Sequence, residues 1–573
     1  MKNYYIFNNT SRASQYGIGT YTRQLTDILL RKSDIRVFHV DLYDDSKEFC
    51  METDNRGIIH YKFPGDPSNI ETEKYAEKVC CILCKYIEEQ ILLEKEKADV
   101  VCASSYAQLV PVSNSWNQGQ VIFHFNYFQH YDIARILKAR FVKSRVVLAI
   151  HYFNWCFQLN GNLTKFRKIL KNNIKNSDEE DQIRKEFNFD RGFLRLSDYV
   201  IALSKFCERL LVQDYGIAHE KVLFIPNGLS EQVPEKDDSF RCCLNGECGK
   251  IVLYVGRLDK IKGLEYLLKA FSLVLKVHGD ARLVIIGDGN YNECLQNCKG
   301  FWDRVTFTGK IAQEELVPFY RTSTLAVLPS FHEQSSYSAI EYMKYGLPFI
   351  GTDSTGLKEM LDIVPEMQVH INEESFSADD FVKQLSERIN LLLGDKTYRE
   401  KVSAIMKEQY ARFYTQREMA SRLYALIEKC SDVKNCPVSQ QLLEDVDSKM
   451  TSIIHTQPDI ETGFYGMAGI GVYLWWRIEC LRDKTDGEAR MYYLAEYLIY
   501  FLDWYADELS EEGVGLGNLE MVGALMEMKR LGFYRIKVMQ LFSLLRIDES
   551  VKVGMPTEME IVQNALKIFN THI

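Results

Sequence analysis

Two carboxylates and two cations stand where they could do chemistry together. Glu333 and Glu341 lie eight positions apart in "SFHEQSSYSAIEYMKYGLP" (330–348). Upstream, "KIVLYVGRLDKIKGLEYLLKAF" (250–271) puts Arg257 and Lys262 between a strand-like run and a helix-like one that opens at or just after Gly263. Two cations beside the free N–H groups of a helix start make an anion site, and they suit a diphosphate. Surface charges flanking a loop are the plain alternative. The glutamates differ in kind. Eight residues of helix span about 12 Å, too far for two carboxyls to share one proton as a close acidic dyad does. Such a spacing fits two grips on the ends of a long ligand. Ser338-Ala-Ile-Glu341 also fits a capping box, in which Glu341 would only tie down a helix start. The sequence leaves both readings of Glu341 open.

Weaker signals surround these four residues. In "LVIIGDGNY" (283–291) glycines follow a strand and let a ligand approach the backbone at Gly287, but no dinucleotide or P-loop fingerprint is completed. "VTFTGKI" (305–311) ends another strand at Lys310 and Ile311. In "SQYGIGTYTRQL" (14–25), Gly17 and Gly19 are expected to precede a helix, as ligand-approach or merely structural glycines. His151 ends the strand of "RVVLAIHYFNW" (145–155), where βα sites place functional groups, while His124 lies inside an apolar run and reads as a satisfied core histidine.

The elements that must position these residues follow a βα rhythm. "YYIF", "VFHV", "DVVCA", "QVIFHF" and "RVVLAI" read as strands, and "TYTRQLTDILLRK" and the long run from Glu73 read as helices. A second series, "DYVIAL", "KVLFIP", "KIVLYVG", "ARLVIIG", "RVTFTG", "LAVLPS", "LPFIGT", follows the charged stretch 161–190. The expected fold class is α/β. It has two doubly wound Rossmann-like domains facing a cleft, over 1–190 and 195–410. A helix over 411–430 is expected to return to the N-terminal domain. Residues 431–573 lose the strand rhythm and read as an all-α accessory domain with a weak repeat of glycine-bearing turns, suited to protein contacts. Between Tyr131 and Asn176 ten Lys or Arg face one acid, Asp132. That belt reads as two solvated helix faces, or as a patch for an anionic membrane surface or an acidic acceptor.

Bulk properties narrow the class. The chain has 573 residues with ordinary hydrophobic (46%) and charged (26%) content, enough for about three or four soluble domains. A net charge of −10 offers no basic field for nucleic acid. The 15 cysteines are scattered without paired C-x-x-C or C…H spacing, which reads as reduced thiols rather than zinc ligands. No signal-peptide layout opens the sequence. The most apolar stretch, "YYLAEYLIYFLDWYA" (492–506), carries Glu496 and Asp503 and reads as a buried helix. A cytoplasmic protein, at most peripheral to the inner face of a membrane, is expected. The lone D-x-D, Asp445-Val-Asp447, reads as solvated charge in a linker region.

In this order the motifs over residues 1–430 resemble family 4 of the retaining glycosyltransferases, which have the GT-B fold. "YGIGTYTRQL", "VVLAIHYFNW", "KVLFIPNGLSE", "YVGRLDKIKGLEYLLKAF", "RLVIIGDGNY", "VTFTGKIAQEELVPFY" and "PSFHEQSSYSAIEYMKYGLPFIGT" carry the resemblance. It implies a nucleotide-diphosphate sugar as co-substrate, with no cofactor and no metal required. Arg257 and Lys262 would neutralise the diphosphate, Glu341 would hold the ribose, and Glu333 would hold the sugar hydroxyls. Ser335, Ser336 and Tyr337 would present backbone N–H groups to phosphate or sugar, and His151 would stand beside the sugar. Gly17 and Gly19 would let the first domain close. Gly287, Lys310 and Ile311 would flank the base, and Asn227 of "PNG" would be structural. The family commonly has E-G-F-G where this chain has Glu333-Gln-Ser-Ser, and that departure puts the donor sugar in doubt. The variant is similar to a branch found alongside modified-peptide pathways. The acceptor is left open among peptide, glycan and lipid-linked glycan. "TGFYGMAGIGVYLWW" faintly resembles the helical units of lanthionine synthetase cyclases, without their zinc-binding Cys and Cys-His. A GT-B epimerase and a non-catalytic nucleotide-sugar scaffold are the rival functions.

Overall fold

The computed structural model describes residues 1–10, 17–65, 72–102, 121–141, 144–171, 177–232, 249–431, 440–456, 467–482, 488–512, 519–530 and 534–545, with isolated residues beyond. They fall into two compact units. One comprises 1–79, 90–134 and 144–435, and the other 80–89, 135–143 and 436–573.

The first unit holds two sheets. β1 (Lys2–Asn9), β2 (Ile35–Asp44), β3 (Cys50–Thr53), β4 (Ile59–Pro64), β5 (Val121–Phe125), β6 (Arg145–Ile150), β7 (Tyr199–Ala202) and β8 (Val222–Phe224) form an eight-stranded sheet in the order β3-β4-β2-β1-β5-β6-β7-β8. Every neighbouring pair is parallel except β3 with β4. β9 (Ile251–Val255), β10 (Arg282–Ile286), β11 (Val305–Gly309), β12 (Leu325–Leu328), β13 (Phe349–Thr352) and β14 (Gln368–Val369) form an all-parallel sheet ordered β11-β10-β9-β12-β13-β14. The central strands β5, β6 and β12 are buried along their whole length, as expected where helices cover both faces. Strand order reverses between β1 and β5 and between β9 and β12. The crevices outside the carboxyl ends of those strands are where open α/β sheets bind ligands.

Several expectations are corrected. "DYVIAL" and "KVLFIP" are β7 and β8 of the first sheet, so the change of sheet lies between Phe224 and Ile251 and not near residue 190. Strand patterning shows that a strand exists, not which sheet it joins. "DVVCA" is not a strand where described: its first four residues end the helix Thr72–Cys102, a short apolar run being ambiguous between the two states. Gly17 and Gly19 do not precede the first helix but form the opening turn of Gly17–Leu29. The basic belt is not one exposed patch. Lys138 and Arg145 are buried, Arg140 pairs with Glu88 at 2.6 Å and Arg167 with Asp214 at 2.8 Å. Lys143 and Lys175 lie outside the described residues.

The chain passes between the sheets twice, and the two passages lie against each other. Leu229 N–H donates to the Tyr414 carbonyl at 3.0 Å and Gln416 N–H donates to the Leu229 carbonyl at 2.7 Å. Gly228 has room for no side chain, because a Cβ there would strike the Thr415 carbonyl. The helix Gln416–Ser431 then packs on the first sheet's covering helix, with Tyr424 Oη donating to the Ile28 carbonyl at 2.9 Å.

The second unit is helical where described: Gln440–Thr456, Met467–Arg482, Glu488–Glu512, Leu519–Arg530 and Arg535–Leu544. The two glycine-bearing turns proposed as a repeat lie outside the described residues. Asp447 is not solvated charge in a linker. It is fully buried within the first of these helices and accepts from Arg477 and Arg490, each at 3.2 Å, and from Tyr473 Oη at 2.8 Å. Its partners lie 26 to 43 residues away, beyond the reach of local pattern. Among the described residues no helix is long and apolar enough to cross a membrane.

Candidate functional site

A cavity of about 860 Å³ opens between the two sheets of the first unit. Arg257, Lys262, Glu333, Glu341, His151, Gly17, Ser335, Ser336, Tyr337, Gly287, Lys310 and Ile311 all line it, and Gly19 does not. All but Glu341, which lies in the middle of the helix Tyr337–Tyr345, come from a loop or helix start beyond the carboxyl end of a strand. Residues that are dispersed over 325 positions of sequence therefore converge because parallel strands all point their ends the same way.

Lys262 Nζ donates to Glu333 Oε1 at 2.6 Å, and Ser330 Oγ donates to the same oxygen at 3.1 Å. The loop carrying Glu333 is pinned from β13's far end. Glu333 N–H donates to Thr355 Oγ1 at 2.9 Å, while Thr355 Oγ1 donates back to the Glu333 carbonyl at 2.6 Å. The cation loop is locked to the same place. Gly263, at φ +67°, sits so close to the Pro329 carbonyl that only glycine fits. Phe331 N–H donates to the Ile261 carbonyl at 2.8 Å. Arg257 pairs with Asp259 at 3.0 Å, and its carbonyl accepts from Tyr254 Oη at 2.6 Å. Gly287 approaches the Gly256 carbonyl closely enough to exclude a Cβ, which keeps that wall flat. The sequence treated Lys262 and Glu333 as serving separate parts of a ligand; here they hold each other.

Glu341 answers the capping question. The helix Tyr337–Tyr345 is capped by Ser336, whose hydroxyl accepts from Ala339 N–H at 3.4 Å. Glu341 turns elsewhere, accepting from Tyr320 Oη at 2.6 Å and from Gln313 Nε2 at 3.0 Å. Burial raises its pKa, and those two donors pull the other way. Tyr337 and Ser338, whose first-turn amides have no intrahelical acceptors, line the same cavity. Arg23, from the helix Gly17–Leu29, donates to Gln313 Oε1 at 2.6 Å, so a residue under the first sheet touches the group that holds Glu341.

His151 donates from Nε2 to Asn126 Oδ1 at 3.0 Å and stands edge-on to Tyr21, with ring centres 4.7 Å apart. Asn126 is itself oriented by donating to Asn8 Oδ1 at 2.8 Å. Burial pushes the His151 pKa down to about 3, so the ring is neutral with Nδ1 free of this bond. His124 is a core histidine, held by Tyr4 at 2.7 Å and Tyr21 at 3.3 Å. Asn227, expected to be structural, braces the Ser335 loop and also lines the cavity: its Nδ2 donates to the Ser335 carbonyl at 2.7 Å and its N–H to Ser335 Oγ at 3.2 Å.

Sequence reasoning missed His332, which lines the cavity with burial lowering its pKa to about 4. Gln334 Nε2 donates to its Nε2 at 3.2 Å, and Nδ1 has no protein partner. It also missed Gln313, Tyr320, Asn126 and Arg23. The available signal for Gln313 was its place just after the "VTFTGKI" strand end; Tyr320 lies mid-helix and carries no local mark.

Residues 249–395 match the family model described as "Glycosyl transferases group 1". Over 201 residues the chain is 32% identical to the mannosylfructose-phosphate synthase of Agrobacterium fabrum, a match covering 31% of this chain and 44% of that relative. The chain thus spans less than half the length of that curated relative. The sucrose-phosphate synthase of Thermosynechococcus elongatus superposes with a TM-score of 0.54 at 19% identity, over 75% of this chain and 99% of that one. Anabaena HepE in complex with UDP and glucose superposes with a TM-score of 0.52 at 14% identity, over 75% of this chain and 100% of that one. The chain carries a Glycosyl transferases group 1 segment on a GT-B fold.

Proposed function

We propose that this chain is a retaining glycosyltransferase of family 4, moving a sugar from a nucleotide-diphosphate sugar to an acceptor. One observation carries the reading. A single cavity is lined by two cations, a helix start and two separately held carboxylates, the groups that diphosphate, ribose and sugar would need. The match over residues 249–395 and a fold neighbour solved with UDP and glucose support it.

Breaking the sugar–phosphate bond builds negative charge on the diphosphate. Arg257, Lys262 and the first-turn amides at Tyr337 and Ser338 would meet that charge with dipoles already oriented. Glu341 would take the ribose hydroxyls and Glu333 the sugar hydroxyls, with Gly287, Lys310 and Ile311 beside the base. His151, neutral, would face the sugar from the first sheet. The acceptor oxygen would attack on the leaving-group face and pass its proton to the departing phosphate, so no protein nucleophile enters. The two walls would exclude water that otherwise hydrolyses the donor. No metal or cofactor is assigned to this step. The helical unit we assign to protein contacts, and the site of action to the cytoplasm.

The test is donor turnover by purified full-length protein against a panel of nucleotide-diphosphate sugars. Turnover lost in Arg257→Ala and Lys262→Ala, and retained in Lys396→Ala on the exposed surface, is the expected result. Tight nucleotide binding with no turnover on any donor or acceptor would instead make the chain a binding scaffold. Isomerised donor among the products would make it an epimerase.

A further inference from the structure

A second cluster of reactive side chains lies outside the cavity and independent of the proposed transfer. His39 and Asp41 are two apart on β2, so they face the same side of the sheet. His60 is the direct partner of His39 on β4. One ring nitrogen from each histidine and one carboxylate oxygen of Asp41 lie within 4.8 Å of one another. His60 Nδ1 is 3.0 Å from Asp41 Oδ2, and the two imidazole rings are 4.8 Å apart.

We propose that His39, Asp41 and His60 form a binding site for one divalent transition-metal ion, zinc being the ion best suited. Two imidazoles and one carboxylate make a borderline donor set that favours zinc, cobalt or nickel over calcium or magnesium. Around a tetrahedral ion with bonds of about 2.0–2.1 Å, ligand atoms sit roughly 3.4 Å apart. The Asp41–His60 pair at 3.0 Å and the His39 nitrogen, within 4.8 Å of both, bracket that spacing, and small side-chain rotations would bring the three to it. The outer shell is also in place. Thr26 Oγ1 bonds His39 Nε2 at 3.0 Å, and Asp54 Oδ2 stands 3.7 Å from His60 Nε2. Such partners fix ring orientation and raise ligand basicity. Asp54 is itself held by Arg56 at 3.2 Å and by two backbone N–H groups, so it serves as that outer partner and solvent would supply the fourth ligand. Strands hold the ligands rigidly, and no ligand depends on a loop.

The site would be structural. Thr26 belongs to the helix Gly17–Leu29, whose first turns line the cavity, so a bound ion would fasten that helix to β2 and β4.

The rival reading of the same geometry is a His60 imidazolium bridging Asp41 and Asp54, with no metal. Full-length protein stripped by chelator and titrated with cobalt(II) distinguishes the two. Expected are visible ligand-field bands of a four- or five-coordinate ion, saturating at one ion per chain and bleached by zinc. Asp41→Asn and His60→Gln should each weaken binding by ~10-fold or more. His370→Ala should leave it unchanged, since the pair of exposed His370 and half-buried Asp353 has no third ligand among the described residues. Zinc should raise the melting temperature of the wild-type chain and not of either variant. Should one variant fold poorly, the other and the wild-type melting shift still decide. Absence of the bands at ~100 µM cobalt, well above the dissociation constant of a built zinc site, or equal bands in both variants, would overturn the site in favour of the proton-bridged cluster.

Discussion

Lys262 and Glu333 form a 2.6 Å ion pair across the floor of the cavity, each less than a fifth exposed. A donor that needs both must part them, placing phosphate at the ammonium and sugar hydroxyls at the carboxylate. The pair stores both groups in position while screening each from water, and a ligand that replaces only one partner leaves the other buried and unpaired. Partial ligands, a free nucleoside diphosphate or a free sugar, therefore bind worse than their contact lists suggest.

From that relationship comes the first prediction. Lys262→Ala should lower donor turnover by ~10²–10³-fold, the scale of losing one charge-stabilising group. Glu333→Gln frees the ammonium and should raise affinity for the nucleoside diphosphate while lowering turnover of the sugar donor. Combined, the two changes should fall well short of additivity, because each removes the same pair. Kinetics and titration calorimetry on the three variants read this; strict additivity would separate the residues functionally.

Tyr320→Phe should act on stability and donor affinity together. It strips a 2.6 Å bond from a carboxylate that is already buried, and leaving such an acceptor short costs about 1–3 kcal/mol. Chemical denaturation with and without nucleotide checks this. A stability change near zero would mean that water fills the place of the hydroxyl.

Gly263→Ala should be among the most damaging single-methyl changes in the chain. A left-handed backbone costs a non-glycine residue about 1–3 kcal/mol, and here the methyl also meets the Pro329 carbonyl. Lys262 is the preceding residue, so turnover should fall alongside the melting temperature. Gly300→Ala, where a Cβ meets nothing within 4 Å, is the control.

Acid should weaken the fold before it titrates the site. Burial lowers the pKa of His124, His130 and His151 to about 3 and of His332 to about 4. The unfolded chain binds these four protons near pH 6.5, and the folded chain resists them until far lower. Stability from this source is full above pH 6.5 and lost as pH falls, at about 1.4 kcal/mol per unit for each group. Glu341, Asp190 and Glu359, whose pKa values burial raises, run the opposite way over the part of that window above their ordinary values. The acids offset part of the histidine contribution, and the expected result is a net loss of stability as pH falls below 6.5. Denaturation midpoints between pH 7.5 and 5 measure it.

What local pattern could and could not convey is visible residue by residue. Arg257, Lys262, Glu333 and Glu341 announced themselves because strand ends and helix starts leave marks in sequence, and parallel strands then gather those ends. The membership of β7 and β8 was illegible, since pairing partners are a tertiary choice that periodicity does not encode. Glu341 shows the same limit at one side chain. Ser-x-x-Glu spacing satisfied a capping rule, yet Tyr320, 21 residues away, takes the carboxylate, and burial decides over propensity. Asp447 was misread for the same reason, as were Lys138 and Arg145 of the basic belt, whereas Lys165, Lys168 and Lys171 are exposed as a solvated face requires: charges look solvated until their partners arrive from elsewhere in the chain. The main stretch of the helical unit begins at residue 436, near the expected 431, while 80–89 and 135–143, which also cluster with it, carried no mark of that membership.

The paired passages at Leu229 and Thr415 have a mechanical meaning. Two connections set far apart would clamp the sheets against any large rotation, and one alone would let them swivel freely. Two laid side by side and bonded to each other act as the spine of a book. Any opening would then run about a single line, with sliding and twisting opposed, and each closing would return the same residues of one wall to the same residues of the other.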